Sequence, residues 1–98
     1  MSDELRKKLK EEILNAFWRD LKIHAERQAL FLVTPHLDLV DVGEAIVSDD
    51  TKQVGEWITD ASIQRPTPVQ IEAWDQDPTR SFRSLIVAPY VLMQELGH

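Results

Sequence analysis

Residues 29–61 read ALFLVTPHLDLVDVGEAIVSDDTKQVGEWITDA, and this stretch predicts the centre of the fold. It opens on the apolar run 29–33, whose short length and closing Thr34-Pro35 pair favour a buried strand. The same pair has the chemistry of a helix start, because Thr34 can serve as the N-cap and Pro35 suits the first helical position. We therefore predict a strand that leads directly into helical structure.

Two apolar patterns in the rest of this stretch predict a pair of helices. The first helix has one apolar side, formed by Leu39, Val40, Val42, Gly43, Ile46 and Val47. Since glycine leaves room on that side, we expect another backbone to approach Gly43 closely. Asp50 and Gln53 have capping-box spacing and open the second helix. Its predicted core stripe, at helical spacing, is Val54, Trp57, Ile58 and Ala61. The connection between the helices is tight, which predicts an antiparallel hairpin.

The N-terminal segment also has helical periodicity. Apolar residues recur at three- and four-residue steps across residues 3–21, which predicts one amphipathic helix. The periodicity is lost over residues 22–28, which could continue the helix for a turn or form a connection. The N-terminus lacks the apolar region of a secretory signal, and the apolar runs are too short for a membrane span. We therefore expect a soluble cytoplasmic protein.

The C-terminal third predicts shorter elements. Residues 63–66 are expected to be extended, since residues before a proline avoid the helical region. Thr67 and Pro68 repeat the N-cap and first-position chemistry and predict a short helix. Residues 82–88 are typical of a second buried strand, whereas residues 90–96 are ambiguous between a strand and a helical turn.

Together these elements predict one α+β domain over residues 1–98, with residues 95–98 as a disordered tail. Its parts are an N-terminal amphipathic helix, a small sheet of two or three short strands, a central antiparallel helix hairpin and a short fourth helix. A sheet of two strands alone is marginal. Either residues 63–65 or residues 90–96 therefore add a strand, or a second subunit does.

The charge of the chain is acidic and unevenly distributed. There are 17 Asp and Glu residues against 11 Lys and Arg residues, and Cys is absent. Residues 28–60 carry seven acidic side chains and one basic side chain, so the excess lies mostly in the predicted hairpin. This balance argues against nucleic-acid binding, which needs a basic stripe. The absence of Cys excludes a thiol nucleophile and a Cys-based zinc site, and we predict no cofactor and no metal.

Several motifs carry a resemblance that covers most of the chain. They are His24-Ala25-Glu26-Arg27, residues 37–43 (Leu-Asp-Leu-Val-Asp-Val-Gly), Pro66-Thr67-Pro68, Arg80 with Phe82, and residues 85–92 (Leu-Ile-Val-Ala-Pro-Tyr-Val-Leu). On these motifs the chain resembles a small family of bacterial proteins known as the domain of unknown function 2288. The resemblance implies a compact, free-standing, cytoplasmic bacterial protein. It implies no reaction, cofactor or partner, so no functional residue is carried over.

Polar side chains near the predicted strands are candidates for ligand binding. They are His24, Glu26, Arg27, Arg65, Arg80 and Arg83. The first three form a cluster that would suit a general acid or a metal ligand, but either role needs further convergent partners. The simpler alternative is a histidine at a helix end with a surface acid and a structural ion pair. The last three could converge at one end of the sheet and clamp a carboxylate or phosphate, whereas pairing with the surplus acids is the simpler interpretation.

Two functional hypotheses remain open at this point. We prefer a non-catalytic protein-interaction or regulatory module that acts through an acidic helical surface and self-association, because no catalytic constellation is found. The partner would be a protein with a basic patch, a second copy of the chain, or both. The candidate interface residues are Trp18, Asp38, Asp41, Glu44 and Tyr90. The alternative is a small enzyme or ligand-binding protein whose polar anion pocket would be formed by His24, Glu26, Arg27 and Arg80 or Arg83.

Overall fold

The chain folds into a mixed sheet with helices on both faces. The structure, a computed structural model, describes residues 2–96, and their side chains from residue 3 onward. In this part the helices are α1 (Ser2–Glu12), α2 (Trp18–Glu26), α3 (Leu39–Val47), α4 (Thr51–Thr59) and α5 (Pro68–Asp75). The strands are β1 (Leu14–Phe17), β2 (Leu30–Val33), β3 (Ile63–Gln64), β4 (Ser81–Val87) and β5 (Tyr90–Glu95). The predicted α+β class is confirmed.

The sheet is larger than the sequence predicts. Its strand order is β1-β4-β5-β2-β3, with β2 and β5 parallel and the other neighbours antiparallel. Both segments that were left open join it, residues 63–64 as an edge strand and residues 90–95 as the central strand. Glu95, which we placed in a disordered tail, is the last residue of β5, and residues 97–98 of that tail lie outside the described residues.

Side chains that alternate along the strands build a core on each face of the sheet. The first core joins α1 and α3 to the sheet through Leu9, Val33, Leu39, Val40, Val42, Ile63, Leu85, Val87 and Leu92. The second core joins α2 and α5 to the opposite face through Trp18, Leu21, Leu30, Leu32, Trp74, Phe82, Val91 and Met93. The central strands are buried on both faces, which explains why their sequences are nearly continuous apolar runs.

The prediction of one helix over residues 3–21 is wrong, because β1 interrupts it. Leu9 packs in the first core and Trp18 in the second, on opposite faces of the sheet. A straight helix cannot reach both faces, so the chain crosses the sheet edge as a strand. Leu14 lies opposite Ser84 in the register between β1 and β4, and the Ser84 hydroxyl donates to the Leu14 carbonyl at 2.9 Å.

The helix starts agree with the predicted caps at two positions and differ at one. The side chain of Asp50 accepts from the Gln53 N–H at the start of α4, and Thr67 forms a full capping box with Gln70 at the start of α5. Helix α3 begins at Leu39 with Asp38 as its N-cap, so the predicted start at Thr34-Pro35 is wrong. The buried Gln94 amide explains this, since it donates to the carbonyls of residues 34 and 37 and holds the segment as a turn.

Helix α4 does not bury the stripe that the sequence predicts. Trp57 is only half-buried, Ile58 is 54% exposed, and no residue of α4 is fully buried. The reason is position, because α4 packs at the outer side of α3 and beside the short edge strand β3, where little sheet remains to cover it. Among the described residues, no helix combines the length and apolarity needed to cross a membrane.

Gly43 allows a close approach, as predicted, but of side chains and not of a backbone. A Cβ atom added at Gly43 would lie 2.9 Å from Leu85 Cδ2 and 3.4 Å from Leu9 Cδ1. The glycine therefore lets α3 pack closely against α1 and β4.

Candidate functional site

The predicted polar cluster lies at the C-terminal end of α2. His24 is half-buried, while Glu26 and Arg27 are exposed. At the other end of α2, the main-chain N–H of Trp18 donates to the Arg80 carbonyl at 2.9 Å. Since a helix rises about 1.5 Å per residue, His24 lies about 9 Å from Trp18 along the helix axis. The structure therefore places the His24 cluster and the Arg80 main chain at opposite ends of this helix.

The predicted convergence of the three arginines at one sheet end is wrong. Arg65 follows β3, the last strand in the sheet order, whereas Arg80 precedes β4 and Arg83 belongs to it, with β5 and β2 in between. The Arg65 guanidinium stacks on Phe31, 5.7 Å from the ring centre. Arg80 is paired with Glu95, with Nη2 and Oε1 3.4 Å apart. Three cavities of about 260, 170 and 510 Å³ lie among the described residues, and no residue of the proposed anion pocket lines any of them.

Trp18, a predicted interface anchor, is buried within the second core and leaves only 1% of its surface exposed. Its ring centre lies 4.9 Å from that of Trp74 and 6.4 Å from that of Phe82. Its indole N–H donates to Asp75 Oδ1 at 2.8 Å, and Lys22 Nζ lies 3.1 Å from the same oxygen. The indole bond chiefly, and then Lys22, lowers the pKa of Asp75. Burial therefore excludes Trp18 from an exposed interface.

Of the other predicted interface residues, Asp38, Asp41 and Tyr90 are exposed, whereas Glu44 is half-buried. Asp38 is exposed and accepts from the Val40 N–H as the cap of α3, and Asp41 is exposed on the same helix. Tyr90 begins β5, is 39% exposed and packs edge-on against Phe31 at 5.5 Å.

An open groove of about 510 Å³ lies between α3 and α4. Its lining residues are Asp41, Glu44, Ala45, Ser48, Asp50, Gln53 and Trp57. Three of them are acidic, and between residues 38 and 60 the only basic side chain is Lys52. A cation seated in this groove would lie among carboxylates and beside Trp57, an aromatic side chain of the type that attracts cations.

Arg6 from α1 holds part of this acidic surface. Its Nη2 lies 2.7 Å from Asp41 Oδ1, and its Nη1 lies 3.3 Å from Glu44 Oε1. The hydrogen bond to Asp41 chiefly raises the pKa of Arg6, with further help from the charges of both carboxylates. The second oxygen of Glu44, Oε2, is buried and has no hydrogen-bond partner among the described residues.

Gln53 and Trp57 are residues that sequence reasoning missed as parts of a site. Trp57 was assigned to the core, since a helical stripe of apolar residues usually marks a buried face. The sequence feature that indicates a partly exposed helix is the high density of charged residues around that stripe. In residues 2–96 there is no group of three His, Cys, Asp or Glu side chains placed to hold a metal ion.

Comparison with known proteins gives a family and a structural relative. The sequence profile of a family described as "Protein of unknown function (DUF2288)" matches residues 4–95. The NMR solution structure of PA1075 from Pseudomonas aeruginosa is similar, with a TM-score of 0.80 and 30% sequence identity. The match covers 97% of this chain and 87% of that one. Comparison with curated proteins gives no match.

Proposed function

The chain belongs to the DUF2288 family of proteins of unknown function, and we propose that it is a non-catalytic interaction module whose α3–α4 groove binds a basic segment of a partner protein. The observation that carries this proposal is the groove itself, whose lining combines a half-buried tryptophan with three acidic residues, against the single cation Arg6 that pairs with Asp41 and Glu44. Its acidic lining is complementary to Lys and Arg side chains, and such complementarity steers partners and selects among them. Trp is also enriched among residues that dominate binding energy at interfaces.

The exposure of α4 supports the same proposal. This helix has an amphipathic sequence, yet Ile58 is 54% exposed and Trp57 is half-buried. Covering such a stripe would remove apolar surface from water and stabilise a complex. A basic peptide would use both the exposed stripe and the acidic groove if one arginine placed its guanidinium over Trp57 and its aliphatic stem along α4. The stems of long cationic side chains cover apolar surface in this way.

A charge insertion tests this proposal with a matched control. Gln53 lines the groove and contributes only its main-chain N–H to the cap of α4, so Gln53→Lys places a cation in the groove without removing that bond. Gln76→Lys makes the same change at the end of α5, on the other face of the sheet. The probe is a fluorescein-labelled peptide of alternating Arg and Ala residues, with an alternating Glu and Ala peptide as counter-probe, measured by fluorescence anisotropy.

We expect the arginine peptide to bind and the glutamate peptide not to bind. One added like charge near the bound cation costs about 1 kcal/mol in water, so Gln53→Lys should weaken binding about fivefold. Gln76→Lys should leave the affinity nearly unchanged, although it alters the net charge equally. Equal weakening by both variants, or the absence of arginine-peptide binding at low salt, would refute the proposal.

We also propose self-association through the free edge of β1, because that edge is apolar and unprotected. β1 is at the end of the sheet order, and Leu14 on β1 and Ile86 on β4 are 64% and 61% exposed on the same face. The Trp18 N–H donates toward β4, to Arg80, so the N–H of Asn15 points away from β4 in the alternating pattern. Outward N–H and carbonyl groups of this kind can pair with a second strand.

Proline substitution tests this edge directly. Asn15→Pro removes an outward N–H and leaves the hydrogen bonds to β4 in place, a position where edge strands tolerate proline. Asn15→Thr is the control, since it keeps the N–H and favours a strand. Sedimentation velocity over a range of concentrations should show self-association for the wild type and Asn15→Thr and a monomer for Asn15→Pro. A wild-type chain that is monomeric at all concentrations would exclude this mode.

A further inference from the structure

An apolar pocket lies beside the α3–α4 turn and adjoins the acidic groove. It has a volume of about 260 Å³ and reaches the sheet face at Ile63 and Leu92, which are buried. Phe31, Ile46 and Val54, all half-buried, form more of its apolar wall. A concave apolar site of this kind, close in size to small-ligand pockets, is the usual setting for binding a small molecule.

The mouth of this pocket is acidic. Asp49 and Asp50 are exposed and line it, and among residues 2–96 neither has a cationic partner within 4.0 Å. Asp49 has a positive φ of 58° just after the C-cap of α3, where the main-chain N–H groups of Asp49 and Asp50 donate to the carbonyls of Ile46 and Ala45. Asp50 accepts from the Gln53 N–H through Oδ1. Two carboxylates without an ion-pair partner in the described part of the chain, beside an apolar wall, favour a cationic head group on an apolar body.

The aromatic residues at the other side of the mouth fit the same ligand. Tyr90 lines the pocket with Phe31, and their rings meet edge to face at 5.5 Å. Arg65 stacks on Phe31 at 5.7 Å but is not a lining residue. The volume of about 260 Å³ lies just below the range of about 300–1,000 Å³ that is usual for small-molecule pockets, so the ligand is small.

We propose that this pocket binds a small amphiphilic ammonium compound, with its apolar body against Ile63 and Leu92 and its ammonium group between Asp49 and Asp50. The pocket shares Ala45 and Asp50 with the acidic groove, so the two sites adjoin at the α3–α4 turn. The inference does not require the proposed peptide binding, because Asp49, Ile63 and Leu92 line this pocket and not the groove.

Three probes with the same phenylethyl group separate the contribution of the head-group charge from that of the apolar body. They are 2-phenylethylamine, 2-phenylethanol and 3-phenylpropionate, whose head groups are positive, neutral and negative. Titration of ¹⁵N-labelled protein by NMR reports both the affinity and the residues that respond. We expect the amine to bind most tightly, with the largest shifts in the main-chain signals of residues 45–54. Tighter binding of the propionate would assign the selectivity to Arg65 and overturn the proposal.

The carboxylates are tested by the double variant Asp49→Asn and Asp50→Asn. Asparagine tolerates the left-handed conformation and caps helices as well as aspartate, so the turn and the start of α4 are kept. Each lost charge is expected to weaken amine binding about fivefold, which makes the double variant at least tenfold weaker and leaves phenylethanol binding unchanged. Glu72→Gln on α5 removes a charge outside the pocket and should leave amine binding as it is.

The apolar wall is tested by Val54→Phe, which fills the pocket, with Val69→Phe as its control at a 76% exposed position on α5. We expect Val54→Phe to abolish amine binding and to spare arginine-peptide binding, so failure of this inference can be told from failure of the proposed function. Unchanged amine binding in Val54→Phe, with thermal melting showing a folded variant, would overturn the proposal. If the NMR signals of the pocket residues shift when only the protein concentration is raised, the pocket is the binding site of a second copy of the chain.

Discussion

Two glycines, each at the middle of a nine-residue helix, provide a sensitive test of how α3 packs against α1 and β4. Gly43 is the fifth residue of α3 and Gly55 the fifth residue of α4, and each helix has nine residues. Alanine is favoured over glycine in a helix interior by about 1 kcal/mol. Both Gly→Ala changes therefore have the same local benefit, and any difference between them comes from their surroundings.

The surroundings differ sharply. A Cβ added at Gly55 has no neighbour within 4 Å, whereas at Gly43 it would lie 2.9 Å from Leu85 Cδ2. Leu85 is fully buried and Leu9 is only 4% exposed, so neither side chain can move into solvent. Overpacking of a core costs about 1–3 kcal/mol. Gly55→Ala should thus raise the free energy of unfolding by about 1 kcal/mol, and Gly43→Ala should change it by between about 0 and −2 kcal/mol.

Urea unfolding followed by tryptophan fluorescence measures the difference, and thermal melting checks it. In a domain of this size about 1 kcal/mol corresponds to roughly 4–8 °C in Tm. The two variants should therefore differ by several degrees, with Gly55→Ala above the wild type. Equal stabilisation by both changes would refute the close packing of α3 against α1 and β4. Destabilisation by Gly55→Ala would show that α4 is covered by something in the folded chain.

Three further predictions concern the second core and the helix caps. Trp74→Ala should reduce the free energy of unfolding by about 3–5 kcal/mol, seen as a lower urea midpoint, because Trp74 packs against two other aromatic rings. Thr67→Ala should cost about 1 kcal/mol in the same assay through loss of the cap of α5. The hydrogen bonds from Trp18 and Lys22 lower the pKa of Asp75 in the folded state. The ionised carboxylate therefore stabilises the fold at pH values above the pKa that Asp75 has in the unfolded chain. This contribution is lost as the pH falls through the pKa that Asp75 has in the folded state. The stability difference between wild type and Asp75→Asn should therefore shrink below about pH 4, and a constant difference from pH 7 to pH 2 would contradict this assignment.

Much of the local structure could be predicted because its causes are local. The caps at Asp50 and Thr67 depend on hydrogen bonds within one turn of helix. The buried strand after residue 29 is marked by its own apolar run. The acidic character of the central hairpin follows from a count of charges, and it led to Asp41 and Glu44, which line the groove.

The predictions that failed depend on contacts between distant parts of the chain. Helical periodicity runs through residues 3–21, but Leu9 and Trp18 belong to cores on opposite faces of the sheet. The chain therefore passes the edge of the sheet as the strand β1 instead of continuing as a helix. The stripe on α4 has core spacing, yet no sheet lies beneath much of it. Arg65 and Arg80 are separated by a strand order that no local pattern encodes.

The sequence by itself determined the helix starts that have local caps, the strands that are marked by apolar runs, and the place where negative charge is concentrated. These features depend on hydrogen bonding, periodicity and charge, which act over a few residues. Only the tertiary structure decided how many strands join the sheet, that Trp18 is buried while Trp57 is half-exposed, and that Asp49 and Asp50 stand at the mouth of an apolar pocket. The physical reason is that burial depends on what packs against a face. That neighbour is supplied by a segment far away in the chain.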